Sequence, residues 1–179
     1  MVNEIKDWCA GKNPWWRIGL LLLLAYIGIR SAINPMESGL FGAITLGVHE
    51  AGHIIFEFFG EFLHVAGGTL MQLAAPIICT IMFFRQPDYF APVLSGVWLA
   101  TSLCNVSVYI ADAVHLELPL VSVGGGEVYH DWEYMLSALN ILSLAEPIAF
   151  AVKVMWYCCL LGSLIYGVWI IWLMMRPQK

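Results

Sequence analysis

Apolar runs of roughly twenty residues, broken by short polar turns, constrain this chain more than any other feature. A helix needs about 20 residues to cross a hydrocarbon core of about 30 Å, and a backbone in lipid must satisfy its polar groups internally. The first run extends from Trp15 to Ile33, with Trp15 and Trp16 as an interfacial aromatic belt and Asn34-Pro35 ending it. A second spans Gly39 to Phe59, and a third spans Val65 to Phe84 before the turn Arg85-Gln86-Pro87-Asp88. The fourth extends from Tyr89 to Val114, and the last from Glu146 to Met175, with Pro147 in its first turn.

Composition agrees with this division. Hydrophobic residues make up 60% of the 179 and charged ones 12%, about half the charged share of an ordinary soluble domain. The expected fold is all-α: a polytopic membrane helix bundle, residues 1–179 as one domain, with about five spanning helices. A Gly-rich connecting loop over 115–131, containing Gly124, Gly125 and Gly126, cannot be a spanning helix. A short interfacial helix follows it from Trp132 to Leu142, with Asp131 as N-cap.

Lys6, Lys12 and Arg17 place the N-terminus in the cytoplasm, and the run after them reads as a retained anchor because no small-residue cleavage site follows. Arg176 and Lys179 draw the C-terminus to the same side, which five spans do not allow. The net charge of -5 is spread without a basic block, so a nucleic-acid surface is not expected. Five cysteines, with no CxxC spacing, read as packing residues.

Within the second run stands His49-Glu50-Ala51-Gly52-His53. Histidines four apart on a helix share a face one turn apart, so both imidazoles can hold one metal ion. In an H-E-x-x-H arrangement the glutamate takes a proton from the water that the metal activates. An ionised carboxylate in mid-span costs about 2.5 to 3.5 kcal/mol, and a divalent cation offsets that cost.

A catalytic zinc takes three protein ligands and keeps one open position. Asp112 is the leading third candidate: it is the one acidic residue within the fourth run and shares a face with Asn105 and Tyr109. His130 and Asp131 are further candidates for a ligand or a transition-state donor, although Asp131 is equally explained as a cap. Glu57 lies on the histidine face but about 12 Å along the axis from His49, and His64 and His115 fall at the ends of runs. Gly67-Gly68-Thr69 and Gln72 to Pro76 are small-residue and proline segments that permit close helix packing and free a carbonyl.

The HEAGH helix, the next run with its small-residue-plus-proline segment, and an aspartate on a later run resemble the membrane-embedded site-two zinc metalloproteases. By that resemblance His49, His53 and Asp112 are the Zn2+ ligands and Glu50 is the catalytic glutamate. Asn105 precedes Asp112 by seven, without the proline and glycine of the family's aspartate segment. The segments around Tyr109 to Asp112 and His130 to Trp132 are similar to those of small bacterial membrane proteins of metallopeptidase type.

The resemblance implies hydrolysis of a peptide bond in or near a membrane segment of a substrate protein, in a bacterial inner membrane, with His130 or Asn105 holding the oxyanion. The competing expectation is a non-proteolytic subunit of a larger membrane complex, for which eight tryptophans and the long last helix provide lateral contacts. A metal transporter would need ligands staged through several runs, whereas those available here converge on one level.

Overall fold

In a computed structural model, residues 2–35, 39–119 and 130–176 are described. Among them the chain is all helical: α1 (Val2–Cys9), α2 (Trp15–Ile33), α3 (Gly42–Phe56), α4 (Glu61–Arg85), α5 (Ala91–Asp112), α6 (Asp131–Ala138) and α7 (Ala145–Met175). Single 3-10 turns at Glu57–Phe59 and Leu142–Leu144 lead into α4 and α7. The triple glycine of the expected connecting loop lies outside the described residues.

Four helical segments are long and apolar enough to cross a membrane: Trp15–Ile33, Glu61–Arg85, Ala91–Asp112 and Leu142–Met175. The expected set of about five also counted the HEAGH segment, which is not among these four. Its apolar run begins at Gly39, but the helix itself covers only 15 residues from Gly42, short of the 20 or so that a span needs. Gly60, at φ +92, turns the chain back into α4.

The middle of the bundle is α5, 61% of whose apolar window is buried, against 22% for α2. One face of α5 meets α7 along Val93, Val97, Ala100 and Leu103, with Trp156, Leu160 and Ile170 opposite. Gly96 is part of this seam, because a methyl group there would collide with the Ser163 hydroxyl. Large apolar side chains that point outward, such as Leu22, Ile55, Phe58 and Ile165, would be lipid-facing in a bilayer and need no protein partner.

The short helix α3 lies against α4 at van der Waals limits of backbone approach. A Cβ on Gly52 would run into the carbonyl of Gly67, and one on Gly67 would come 2.5 Å from the carbonyl oxygen of Gly52. Two glycines facing each other let these helices touch main chain to main chain, as small-residue membrane interfaces do. Close to that contact α4 contains Pro76, whose missing N–H leaves the Gln72 carbonyl without its helical partner.

The far end of α5 holds α6. Leu136 packs with Val106, Ile110 and Ala113, and Met135 with Val65 and Ala66 of α4. The N-cap of α6 is His130, whose side chain accepts from the Glu133 amide. That assignment corrects the expected cap, Asp131, which is the first helical residue with its side chain turned toward α3.

Candidate metal centre

His49 and His53 come from α3, and each ring is fixed by α4. His53 Nδ1 is 2.9 Å from the carbonyl oxygen of His64. A carbonyl only accepts, so Nδ1 carries the proton and Nε2 of the neutral ring is a bare lone pair. His64 returns the contact, with its own Nδ1 donating to the carbonyl of His53 at 2.9 Å. The antiparallel helices are clasped at this level by two reciprocal side-chain-to-backbone bonds.

The same logic fixes His49. Its Nδ1 is 3.0 Å from Gln72 Oε1. The Gln72 amide nitrogen faces the Ser102 carbonyl and Asn105 Oδ1 at 3.5 and 3.4 Å. Both of those are acceptors, so the nitrogen must point to them and the oxygen to His49. Nδ1 of His49 therefore donates, and its Nε2 is likewise a bare acceptor in the neutral ring.

The two Nε2 atoms lie 3.1 Å apart. Asp131 Oδ2 is 3.1 Å from His49 Nε2 and 3.4 Å from His53 Nε2. Three acceptors thus converge in one triangle, which is untenable unless positive charge stands among them. A tetrahedral zinc with bonds of about 2.0 to 2.2 Å places its ligands about 3.3 to 3.6 Å from one another, slightly wider than the triangle's edges of 3.1 to 3.4 Å. Burial by itself would push the Asp131 carboxyl upward, but without a metal, hydrogen bonds and charge from His49 and His53 hold it below the ordinary carboxylate range, which requires a proton on the facing imidazole nitrogens.

Room for this arrangement depends on Gly68. A Cβ there would be 2.5 Å from His53 Nε2 and 2.7 Å from both Cε1 and Nε2 of His49. Position 68 lets α4 pass directly behind the imidazole pair, and no other residue leaves that space.

The carboxylate in the triangle belongs to Asp131, one of the further candidates, whereas Asp112, the leading candidate, lies outside the triangle. Asp112 closes the end of α5, with its two oxygens accepting the amides of Glu117 and Leu118 at 3.0 and 3.1 Å. A carboxylate wrapped by the turn that follows it has little freedom to reach α3. Among the described residues His49, His53 and Asp131 are the one group of three with metal-ligating spacing.

Glu50 and Asn105, both expected at the site, are brought to it. They line a cavity of about 690 Å³ together with His49, Gln72, Thr101 and Tyr109, and its outer walls include Leu23, Ile27 and Leu46. His130, expected to hold an oxyanion, does not line it. The His130 ring is buried, with Nδ1 on the Glu133 amide and Nε2 toward Asp112 Oδ2 at 3.4 Å. Glu57 and His115 are exposed and outside the group.

Two participants had weak signals in the sequence. Gln72 stood in a segment legible only as packing, and its role as partner of His49 follows from the helix pairing. His64 acts largely through its main-chain carbonyl, which has no residue signature. Of the five cysteines, read as packing residues, Cys9 and Cys104 are buried and Cys158 is exposed. No protein-family model matches this chain, and neither the curated proteins nor the solved structures contain a match.

Proposed function

We propose that the chain is a zinc-dependent intramembrane metalloprotease, with His49, His53 and Asp131 as ligands and Glu50 as the general base. The observation that carries the reading is the convergence of two imidazole lone pairs and a carboxylate oxygen beside a glutamate-lined cavity. A zinc ion held there would supply a Lewis acid for a substrate carbonyl and would acidify water toward a pKa of about 7. A lone proton on one imidazole could satisfy one edge of the triangle, whereas a divalent cation satisfies all three corners.

The chain's own groups then have separable tasks. Gln72 and the His64 carbonyl keep both Nε2 atoms turned inward, as outer partners of metal-bound histidines do. Glu50, next to His49 on the cavity wall, accepts the proton of the attacking water and passes it to the departing amine. Asn105 has its oxygen taken by Gln72, so its amide N–H donors are left for a developing oxyanion. The substrate is a peptide segment in or near the membrane, entering by the apolar outer wall of the cavity.

The localisation we infer is a bacterial inner membrane, multi-pass, with the N-terminus cytoplasmic. Four spans return the chain to its starting side, so Lys6, Lys12 and Arg17 share a face with Arg176. Contacts between the two ends support this: the Cys9 thiol points to the carbonyl of Ile170 at 3.8 Å. Even parity removes the charge conflict that five spans create.

Metal analysis of purified protein together with cleavage of a membrane-embedded reporter peptide tests the reading. Wild type is expected to carry one zinc per chain, His49→Ala and Asp131→Ala to lose it, and Glu50→Gln to keep zinc but cleave nothing. Wild type without zinc would refute the metal centre. Zinc binding together with full biological function of Glu50→Gln would favour the non-proteolytic subunit of a membrane complex.

A further inference from the structure

We propose that Asp112, His130 and Tyr109 form a latch between α5 and the first turn of α6, whose task is to hold Asp131 against the histidine pair. The inference rests on the zinc reading and adds positioning residues to it. The two histidines need no such help, because they share one helix and are clasped by α4. Asp131 differs, since eighteen residues separate it from the end of α5, and a connection of that length does little to fix its end.

The contacts that do fix it come from one face of α5. The Tyr109 ring lies against the His130 imidazole with centroids 4.2 Å apart. Its hydroxyl accepts the backbone amide of Asp131 at 3.3 Å. One turn further along α5, Asp112 Oδ2 faces His130 Nε2 at 3.4 Å. With Nδ1 accepting from Glu133, the neutral His130 ring carries its proton on Nε2. That N–H is buried and has no hydrogen bond among the described residues, which makes the Asp112 carboxylate the acceptor it closes on.

Asp112 is itself prepared for this. The amides of Glu117 and Leu118 hold its carboxylate in place, so His130 meets a fixed acceptor at the root of the connection that leads away from α5. Residues 130 and 131 are thus gripped by side chains one helical turn apart, and Asp131 is delivered to Nε2 of His49 and His53. Apolar packing of Met135 and Leu136 seats the body of α6 but does not set the direction of its first residue.

The test separates positioning from folding and from the metal reading. His130→Asn keeps a good N-cap oxygen while removing the reach to Asp112, and Asp112→Asn removes the charge. Zinc affinity, measured by competition with a chromophoric chelator, is expected to fall about 10- to 100-fold in each. The double variant is expected to lose no more than the worse single one, because both break the same contact. Affinities within twofold of wild type would overturn the latch, as would complete zinc loss in Asp112→Asn alone, which would make Asp112 a ligand.

A metal-free measurement covers the case in which wild type binds no zinc. In chelator-treated protein, hydrogen exchange of the amides over 131–138 is expected to rise at least tenfold in both variants, with overall helicity unchanged. Exchange equal to wild type would refute the latch whatever the metal content.

Discussion

Gly68→Ala gives the sharpest test of how the metal centre is built, because the change is one methyl group in a known direction. That carbon would stand 2.5 Å from His53 Nε2 and 2.7 Å from His49 Nε2, where carbon contacts settle at about 3.5 Å or more. Both rings would have to retreat by about 1 Å. Neither can do so freely, because each is tied through Nδ1, to Gln72 and to the His64 carbonyl. Each broken tie costs about 1 kcal/mol, and overfilling a packed helix seam costs about 1 to 3 kcal/mol. The combined penalty is about 3 to 5 kcal/mol, and its lower end, falling on ligand geometry, corresponds to at least roughly a hundredfold weaker zinc binding. The assay is chelator competition on detergent-purified protein, with helicity checked by circular dichroism. Gly47→Ala is the control: nothing lies within 4 Å of its new carbon, so zinc affinity should not change. Zinc bound by Gly68→Ala as tightly as by wild type would refute the view that α4 passes directly behind the histidine pair.

Further outcomes follow from the same geometry. Gln72→Leu is expected to weaken zinc binding about 10- to 100-fold without displacing α4, read by the same competition assay. Chelation of zinc is expected to lower the unfolding temperature of wild type but not of Asp131→Ala, because a ligand at a thousand times its Kd contributes about 4 kcal/mol to the folded state. Gly52→Ala is expected to reduce the yield of folded protein, since its methyl group meets backbone that cannot rotate away. Reporter fusions at the two termini are expected to read the same side of the membrane, and opposite sides would exclude four spans.

What the sequence disclosed depended on whether a feature was local to one helix. The run from Trp15 to Ile33 was legible because the paired tryptophans and Asn34-Pro35 are local signals. The HEAGH face was equally legible, since spacing on one helix determines which side chains meet. Hydropathy misjudged α3, because apolar residues continue on both sides of a helix that is only 15 residues long. Asp112 looked like a ligand since it shares a stripe with Asn105 and Tyr109, and those two do reach the cavity. One turn further on, the helix ends, and the adjacent turn captures the carboxylate. Asp131 could not be chosen in preference to Asp112 from sequence, because its place is set by contacts of α6 with α5 across an eighteen-residue separation.

The division of labour among helices accounts for where the site tolerates change. Everything that holds the two imidazoles comes from α4: the Gly68 gap, the Gln72 side chain and the His64 carbonyl, along one side of a single helix. The third donor comes from a short helix reached through α5. Loss of the α3–α4 contact therefore removes the centre altogether, whereas loss of the α5–α6 contact leaves a two-histidine site with a weaker hold on the metal. A pair of imidazoles with fixed tautomers keeps only a weak hold on zinc, one that purification strips and excess metal refills, so His130→Asn and Gly68→Ala should differ in kind. The first should retain a residual site that excess zinc fills. The second should distort both imidazole ligands, so excess zinc should refill it only in an altered coordination geometry.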